Sequence, residues 1–126
     1  AIERKPRYAK AYNNRGADYQ LKGDHEKAVS DLTRAIEIKP AYSEAHNNRG
    51  ISCQLLGRLD EAVSNYDAAI RIDPRNAQAY FNRGAAKLVK GDRRGALANF
   101  DKALGIDPGF SAAAQARENL AYLNLN

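Results

Sequence analysis

The chain has no tryptophan, no methionine and one cysteine, Cys53, among its 126 residues. A single cysteine excludes an intramolecular disulfide and a cysteine-rich zinc site, so we expect Cys53 to be a small buried apolar residue. No apolar run approaches the roughly 20 residues of a membrane helix, and residues 1–20 contain no apolar core of a signal peptide. These absences predict a soluble protein. They leave the compartment undecided, with the cytoplasm favoured.

Large apolar side chains are also scarce. Alanine supplies 23 residues of an apolar fraction of 44%. A core with so few bulky side chains must form between helices that approach each other closely. The composition therefore favours an all-α fold, and the length favours one domain.

The few prolines are regularly spaced: Pro6, Pro40, Pro74 and Pro108 follow one another at intervals of 34 residues. Two glycines and two alanines in each interval keep the same spacing. They are Gly16, Gly50, Gly84, Gly23, Gly57, Gly91, Ala28, Ala62, Ala96, Ala35, Ala69 and Ala103. A fixed period of this length indicates a repeat protein, in which each unit is one supersecondary element.

Each unit divides at its second glycine into two segments whose apolar residues are three or four positions apart, as at Ala28, Leu32 and Ala35. This period predicts two helices per unit. We expect the second glycine to end the first helix in a left-handed conformation, and Asp24 and Asp92 to cap the second. The predicted helices are 9–22, 25–38, 43–56, 59–72, 77–90, 93–106 and 111–124.

The unit resembles the tetratricopeptide repeat, which has an aromatic residue, a glycine, a large residue, two alanines with an aromatic between them and a closing proline. The matching residues are Tyr12, Gly16, Tyr19, Ala28, Leu32, Ala35 and Pro40; His46, Gly50, Cys53, Ala62, Tyr66, Ala69 and Pro74; and Tyr80, Gly84, Lys87, Ala96, Phe100, Ala103 and Pro108. His46, Cys53 and Lys87 depart from the pattern. The resemblance implies an all-α fold, a right-handed solenoid of antiparallel helix pairs.

The resemblance divides one solenoid domain, 1–126, into smaller units. We expect repeats at 7–40, 41–74 and 75–108, followed by a capping helix at 109–126. Residues 1–6 match the end of a repeat, because Ala1 and Pro6 are in register with Ala35 and Pro40. They are predicted to be the remnant of a preceding repeat helix, which would make the chain a fragment of a longer protein, or else to be a degenerate turn.

Residue patterns for catalysis are missing from the sequence. There is no phosphate-binding glycine loop, no His-Glu-x-x-His and no paired-cysteine spacing. His25 begins a predicted helix and His46 replaces a packing aromatic, so both are interpreted as structural. We expect a protein that is not an enzyme and has no cofactor and no metal.

The net charge of +5 is unevenly distributed. It is +2 for residues 7–40, −2 for 41–74 and +4 for 75–108. Lys90, Arg93 and Arg94 form a cluster with no aromatic residues between them to stack on bases. The alternation of sign argues against binding to nucleic acid, which remains the third functional hypothesis.

In proteins that this chain resembles, the first helix of each pair lines a concave groove. Asn14, Asn48 and Asn82 recur there in register, and each amide offers a donor and an acceptor to a peptide backbone. With repeats about 10 Å apart and about 3.3 Å per extended residue, they would meet about every third residue of a peptide. The residues expected to bind the peptide are Lys10, Asn13, Asn14, Asn47, Asn48, Ile51, Leu55, Phe81, Asn82, Leu88 and Val89. We therefore predict a non-catalytic module that binds an extended segment of a partner protein.

Two alternatives stay open at this stage. The asparagines could bond within the repeat stack, where Arg15, Arg49 and Arg83 are expected to pair with acids such as Asp31, Asp67 or Asp101. The chain could also be a scaffold that self-associates through exposed repeat ends.

One subgroup of the family holds the terminal carboxylate of chaperone tails with two lysines, an arginine and two asparagines. Only Asn48 matches that set, because the other positions carry Asn13, Ala17, Gln78 and Asn82. Binding of chaperone tails is therefore not predicted.

Overall fold

The computed structural model describes residues 6–124, a range that is helical and contains no strand. Its seven helices are α1 (Pro6–Leu21), α2 (His25–Ile38), α3 (Ser43–Leu55), α4 (Leu59–Ile72), α5 (Ala77–Val89), α6 (Arg93–Ile106) and α7 (Ser111–Asn124). The predicted helices are confirmed, with ends that differ by no more than three residues.

The turn inside each helix pair contains the only residues of the described backbone with positive φ. Gly23, Gly57 and Gly91 have φ of 83°, 81° and 89°, a conformation that costs a residue with a Cβ. Asp24 and Asp92 follow two of them, and each accepts a hydrogen bond from a backbone N–H of the next helix. The predicted caps are therefore confirmed, because the glycine ends one helix and the aspartate begins the next.

The first glycine of each unit allows the two helices of a pair to approach closely. A Cβ added there would overlap a large side chain of the second helix, which is itself buried. The three contacts are Gly16 with Leu32 (2.8 Å), Gly50 with Tyr66 (2.5 Å) and Gly84 with Phe100 (2.7 Å).

The helices pack in chain order. The pairs are α1 with α2, α3 with α4 and α5 with α6, and each second helix also packs against the first helix of the next pair. Alanines at Ala28, Ala62 and Ala96 are fully buried between them, so the core consists of small residues around one large side chain per repeat. The arrangement is a helical repeat solenoid.

At one end of the described range Pro6 begins α1, and proline suits this first turn, where no helical acceptor exists for its missing N–H. The rest of the predicted remnant, residues 1–5, lies outside the described residues. At the other end α7 packs on α6 and buries Ala113 and Leu120.

Candidate functional site

The first helices of the three pairs lie side by side, because α1 contacts α3 and α3 contacts α5. We call their shared surface the first-helix wall. Gln20 Nε2 of α1 donates at 2.8 Å to the carbonyl oxygen of Asn48 and, also at 2.8 Å, to Ser52 Oγ of α3. The sequence did not predict this contact, since the partner of a glutamine on a helix surface has no signature in the pattern of residues.

Four asparagines inside the wall form two pairs between helices, which we call the amide seam. Asn48 Nδ2 donates to Asn13 Oδ1 at 3.2 Å, and Asn82 Nδ2 donates to Asn47 Oδ1 at 3.0 Å. Asn13, Asn47 and Asn82 are only 1%, 5% and 9% exposed. A buried amide left without a partner costs about 1 to 3 kcal/mol, so the seam favours one register between neighbouring repeats.

The structure separates Asn14, Asn48 and Asn82, which the sequence predicts as one ladder. Asn14 is exposed, Asn48 is half-buried and Asn82 is buried. Their burial differs because Asn48 and Asn82 each face an asparagine on the preceding first helix, whereas Asn14 does not. The 34-residue spacing alone does not reveal this. For Asn13, Asn47 and Asn82 the geometry corresponds to the alternative of bonding within the stack.

The third repeat carries Phe81 where the first two carry Asn13 and Asn47. Phe81 is half-buried, and its ring centroid lies 5.7 Å from that of Phe100 and 5.2 Å from that of Phe110. These tilted rings form an aromatic cluster beside α7. Phe81, which is predicted to belong to the binding set, is therefore only partly exposed, because the rest of its surface packs against the core.

An aliphatic side chain stands at the last position of each first helix. Leu21, Leu55 and Val89 are 87%, 62% and 65% exposed, and we call them the aliphatic row. Leu88 next to it is 39% exposed, whereas Ile51 is half-buried against the core. The 34-residue spacing of the row was present in the sequence, but Leu21 was left out of the predicted binding set.

Two charged residues occupy the same register position at the start of the wall. Lys10 of α1 and Glu44 of α3 are both exposed. Glu44 Oε1 accepts a hydrogen bond from Asn13 Nδ2 at 3.1 Å, so its carboxylate also holds the amide seam. Burial, followed by the charge of Glu44, raises the pKa of the neighbouring Tyr42.

The arginines form a second ladder, which connects helices within each pair and also neighbouring pairs. Arg15, Arg49 and Arg83 each donate to the residue 16 positions later, and Arg49 and Arg83 also to the residue 16 positions earlier. The acceptors are Asp31, Asn65, Thr33, Asn99 and Asp67. The predicted pairing is confirmed for Asp31 and Asp67. It is wrong for Asp101, which pairs with Arg117 on α7 and not with one of these three arginines.

His46 stands where the other repeats have tyrosine. Its Nε2 lies 3.0 Å from the carbonyl oxygen of Pro40, while Nδ1 is buried without a hydrogen-bond partner. Burial lowers the pKa of His46, because a proton on Nδ1 would add a buried charge and an unsatisfied donor. Cys53 is buried as predicted, and burial raises the pKa of its thiol.

Over residues 6–124, no three His, Cys, Asp or Glu side chains are grouped closely enough to hold a metal ion. None of the helices in that range is both long and apolar enough to span a membrane.

Three family models match the chain. Two described as the tetratricopeptide repeat match residues 9–42 and 77–110, and one described as the TPR repeat matches residues 53–91. No curated protein sequence matches the chain significantly.

Solved TPR domains have a similar fold. The first TPR of Spaghetti (RPAP3), bound to the HSP90 peptide SRMEEVD, is 19% identical with a TM-score of 0.91, and the match covers all of both chains. The Arabidopsis OM64 TPR domain is 26% identical with a TM-score of 0.90, over 93% of this chain and 97% of that one. The second TPR domain of human RPAP3, in complex with the HSP70 peptide SGPTIEEVD, is 24% identical with a TM-score of 0.86, over 93% and 98%. With the repeat spacing, the helix pairs and the family matches in agreement, this chain belongs to the tetratricopeptide repeat family.

Proposed function

We propose that the chain is a non-catalytic module that binds an extended peptide segment of a partner protein along the first-helix wall. The observation that carries this proposal is the aliphatic row. Leu21, Leu55 and Val89 repeat on three adjacent helices and remain largely exposed, although a solvated helix end has no need of an apolar residue.

The spacing of the row suits an extended chain. Adjacent helices packed at about 10 Å and a peptide that advances about 3.3 Å per residue would place every third peptide side chain opposite one member of the row. A ligand with apolar residues at such spacing would bury Leu21, Leu55 and Val89 together. This fits a mode of recognition in which pockets for side chains give specificity and polar contacts hold the backbone.

The environments of the wall residues divide the predicted set into two roles. Exposed or half-buried residues would touch the peptide: Lys10, Asn14, Asn48, Ile51, Leu55, Leu88 and Val89, with Leu21 added. Asn13, Asn47 and Asn82 would act by holding the three first helices at the spacing that the peptide requires. Phe81 would stabilise the end of the wall through its contacts with Phe100 and Phe110.

Two structural neighbours carry chaperone peptides, which supports a peptide as the class of ligand. Those particular peptides, however, fit the residues of this chain less well. Asn13 and Asn82 stand at two positions where the family subgroup has cations, and both are buried in the amide seam. We therefore propose an internal peptide segment as the ligand and not a free carboxyl terminus.

The experiment selects ligands from a random library of peptides about 12 residues long, enough to span three repeats at about 3.3 Å per residue. Affinities of the selected peptides are then measured by fluorescence polarisation. Leu55→Asp should weaken binding at least about tenfold, because it places a charge in the row while the helix end remains solvated. Ile72→Asp, at an exposed isoleucine that ends α4, is the matched control and should bind normally.

The Asn48 side chain belongs both to the amide seam and to the proposed peptide site. Asn48→Ala would remove the donor to Asn13 as well as a peptide contact, so a loss of binding would be accompanied by a loss of stability. Asn14→Ala removes an exposed amide at the equivalent position. It should weaken binding without lowering the melting temperature, and normal binding by this variant would remove Asn14 from the site.

A further inference from the structure

A second surface of the solenoid differs sharply between repeats. Each helix pair contains a hollow beside its arginine, lined by both of its helices and by no residue of the amide seam or the aliphatic row. The three hollows occupy equivalent places, since Arg15, Arg49 and Arg83 line them in turn. They therefore serve as internal controls for one another.

The charge of the lining changes from one hollow to the next. The charged side chains are Arg15, Arg34, Asp31 and Glu37 in the first hollow, and Arg49, Arg71 and Glu61 in the second. The third hollow is lined by Arg83, Lys87 and Lys102 and by no acidic residue. Only the third is therefore strongly cationic.

Four lining positions change charge between the second and third repeats. Lys87 stands where the second repeat has Cys53, and Gly95 stands where it has Glu61. Lys102 replaces an alanine. These three changes add two cations and remove an acid. The fourth, Gly105 in place of Arg71, removes a cation, so the charge of the lining rises from +1 to +3.

The three cations of the third hollow differ in whether a neighbouring side chain pairs with them. Arg83 donates to Asp67 and to Asn99, both at 2.8 Å. Within the described residues, neither Lys87 nor Lys102 forms an ion pair. Two ammonium groups are thus left to attract an external anion.

The hollow is open and has a volume of about 290 Å³, which gives room for a phosphate group on a side chain. A phosphate monoester carries a charge of about −1.5 to −2 at neutral pH, which matches the two lysines. A nucleic acid would need cationic contacts at successive phosphates, and the first two hollows do not supply them.

We propose that the third-repeat hollow, lined by Arg83, Lys87 and Lys102, binds a single phosphate group on a phosphorylated side chain of a protein partner. Lys87 and Lys102 contact the phosphate oxygens, and Arg83, held in place by Asn99, adds positive charge behind them. This site is independent of the first-helix wall.

The test titrates N-acetyl O-phosphoserine amide into the isotope-labelled protein, followed by two-dimensional NMR. We expect shifts confined to α5 and α6 around the hollow and none with the unphosphorylated serine compound. Lys87→Gln with Lys102→Gln should weaken binding about tenfold, because two charge-assisted hydrogen bonds are lost. Lys22→Gln with Arg75→Gln removes the same charge elsewhere and should bind like the parent protein.

Three results would overturn the proposal. The shifts could spread over exposed cations of all three repeats, or persist in the Lys87 and Lys102 variant. Inorganic phosphate could bind while the phosphoserine compound does not, which would indicate a site for a free anion. A single-stranded oligonucleotide could bind through these lysines in place of the phosphoserine compound. Lys87→Arg with Lys102→Arg, which keeps the charges, should retain binding and so separates loss of charge from loss of folding.

Discussion

The seams between neighbouring repeats are polar in one part of the molecule and aromatic in another. Asn13 with Asn48 and Asn47 with Asn82 join the first helices of the three pairs. The next interface has Phe81 at the equivalent place, packed with Phe100 and Phe110 beside α7. Repeats of the same helix-pair geometry are thus joined by amide pairs in one place and by an aromatic cluster in another.

The amide pairs and the aromatic cluster differ in how strictly they fix the positions of the helices. An amide pair tolerates little displacement, because each buried polar group requires its partner at hydrogen-bond distance. An aromatic cluster gains more free energy from buried area but tolerates a range of tilts. We infer that the amide pairs fix the spacing of the first-helix wall and that the aromatic cluster supplies stability where the wall ends.

The largest expected effect comes from the aromatic side. Phe81→Ala should lower the free energy of unfolding by about 3 kcal/mol, because a half-buried ring leaves the cluster with Phe100 and Phe110. Urea denaturation measures this value. Val89→Ala, at an exposed site in the same helix, should change stability by less than about 0.5 kcal/mol. Equal losses for the two variants would contradict the assignment of Phe81 to the core.

A smaller loss is expected in the amide seam. Asn47→Ala should cost about 2 kcal/mol, since it leaves Asn82 Nδ2 buried without its acceptor. A double-mutant cycle with Asn82→Ala should give a coupling free energy of about 1 kcal/mol. Asn14→Ala, which lies outside the seam, is the control. Purely additive losses at Asn47 and Asn82 would mean that their hydrogen bond adds nothing to stability.

A smaller effect is expected on the pH dependence of stability, to which only the second repeat contributes a histidine at this position. His46 replaces the tyrosine of the other two repeats, and burial lowers its pKa below the ordinary value of about 6.5. The unfolded chain then binds a proton first on acidification, so the stability from neutral His46 is present above about pH 6.5 and is lost as pH falls from there towards the folded-state pKa. His46→Tyr should remove this part of the decline as pH falls below about 6.5, measured by thermal unfolding. An unchanged pH profile in the variant would assign the decline to other groups.

The last prediction is the absence of an effect. A selected peptide should bind equally well with a free carboxylate or an amide at its C-terminus, because Asn13, Ala17, Gln78 and Asn82 stand where a carboxylate-binding set would have other groups. Calorimetry with both forms makes the comparison. A clear preference for the acid would show that another cation, such as Lys10, replaces the missing ones.

The sequence predicted the architecture well, because glycine, alanine and proline mark backbone conformation and close approach. The helix ends at Gly23, Gly57 and Gly91 follow directly from their positive φ. The surface was harder to predict. Asn48 and Asn82 are in register with Asn14, yet their environment depends on a partner 35 positions earlier, on another helix. The repeat pattern places Leu21 on the same surface as Leu55 and Val89, but only the structure shows that it is the most exposed of the three.

The most direct test of the account maps where a selected peptide lies. A nitroxide label at each end of the peptide broadens the NMR signals of nearby amides, so the path of the chain can be followed. We expect broadening along α1, α3 and α5, from the side of Leu21 to the side of Val89, and none on the outer faces of α2, α4 and α6. Broadening centred on the second helices, or confined to one end of the solenoid, would contradict the proposed role of the first-helix wall.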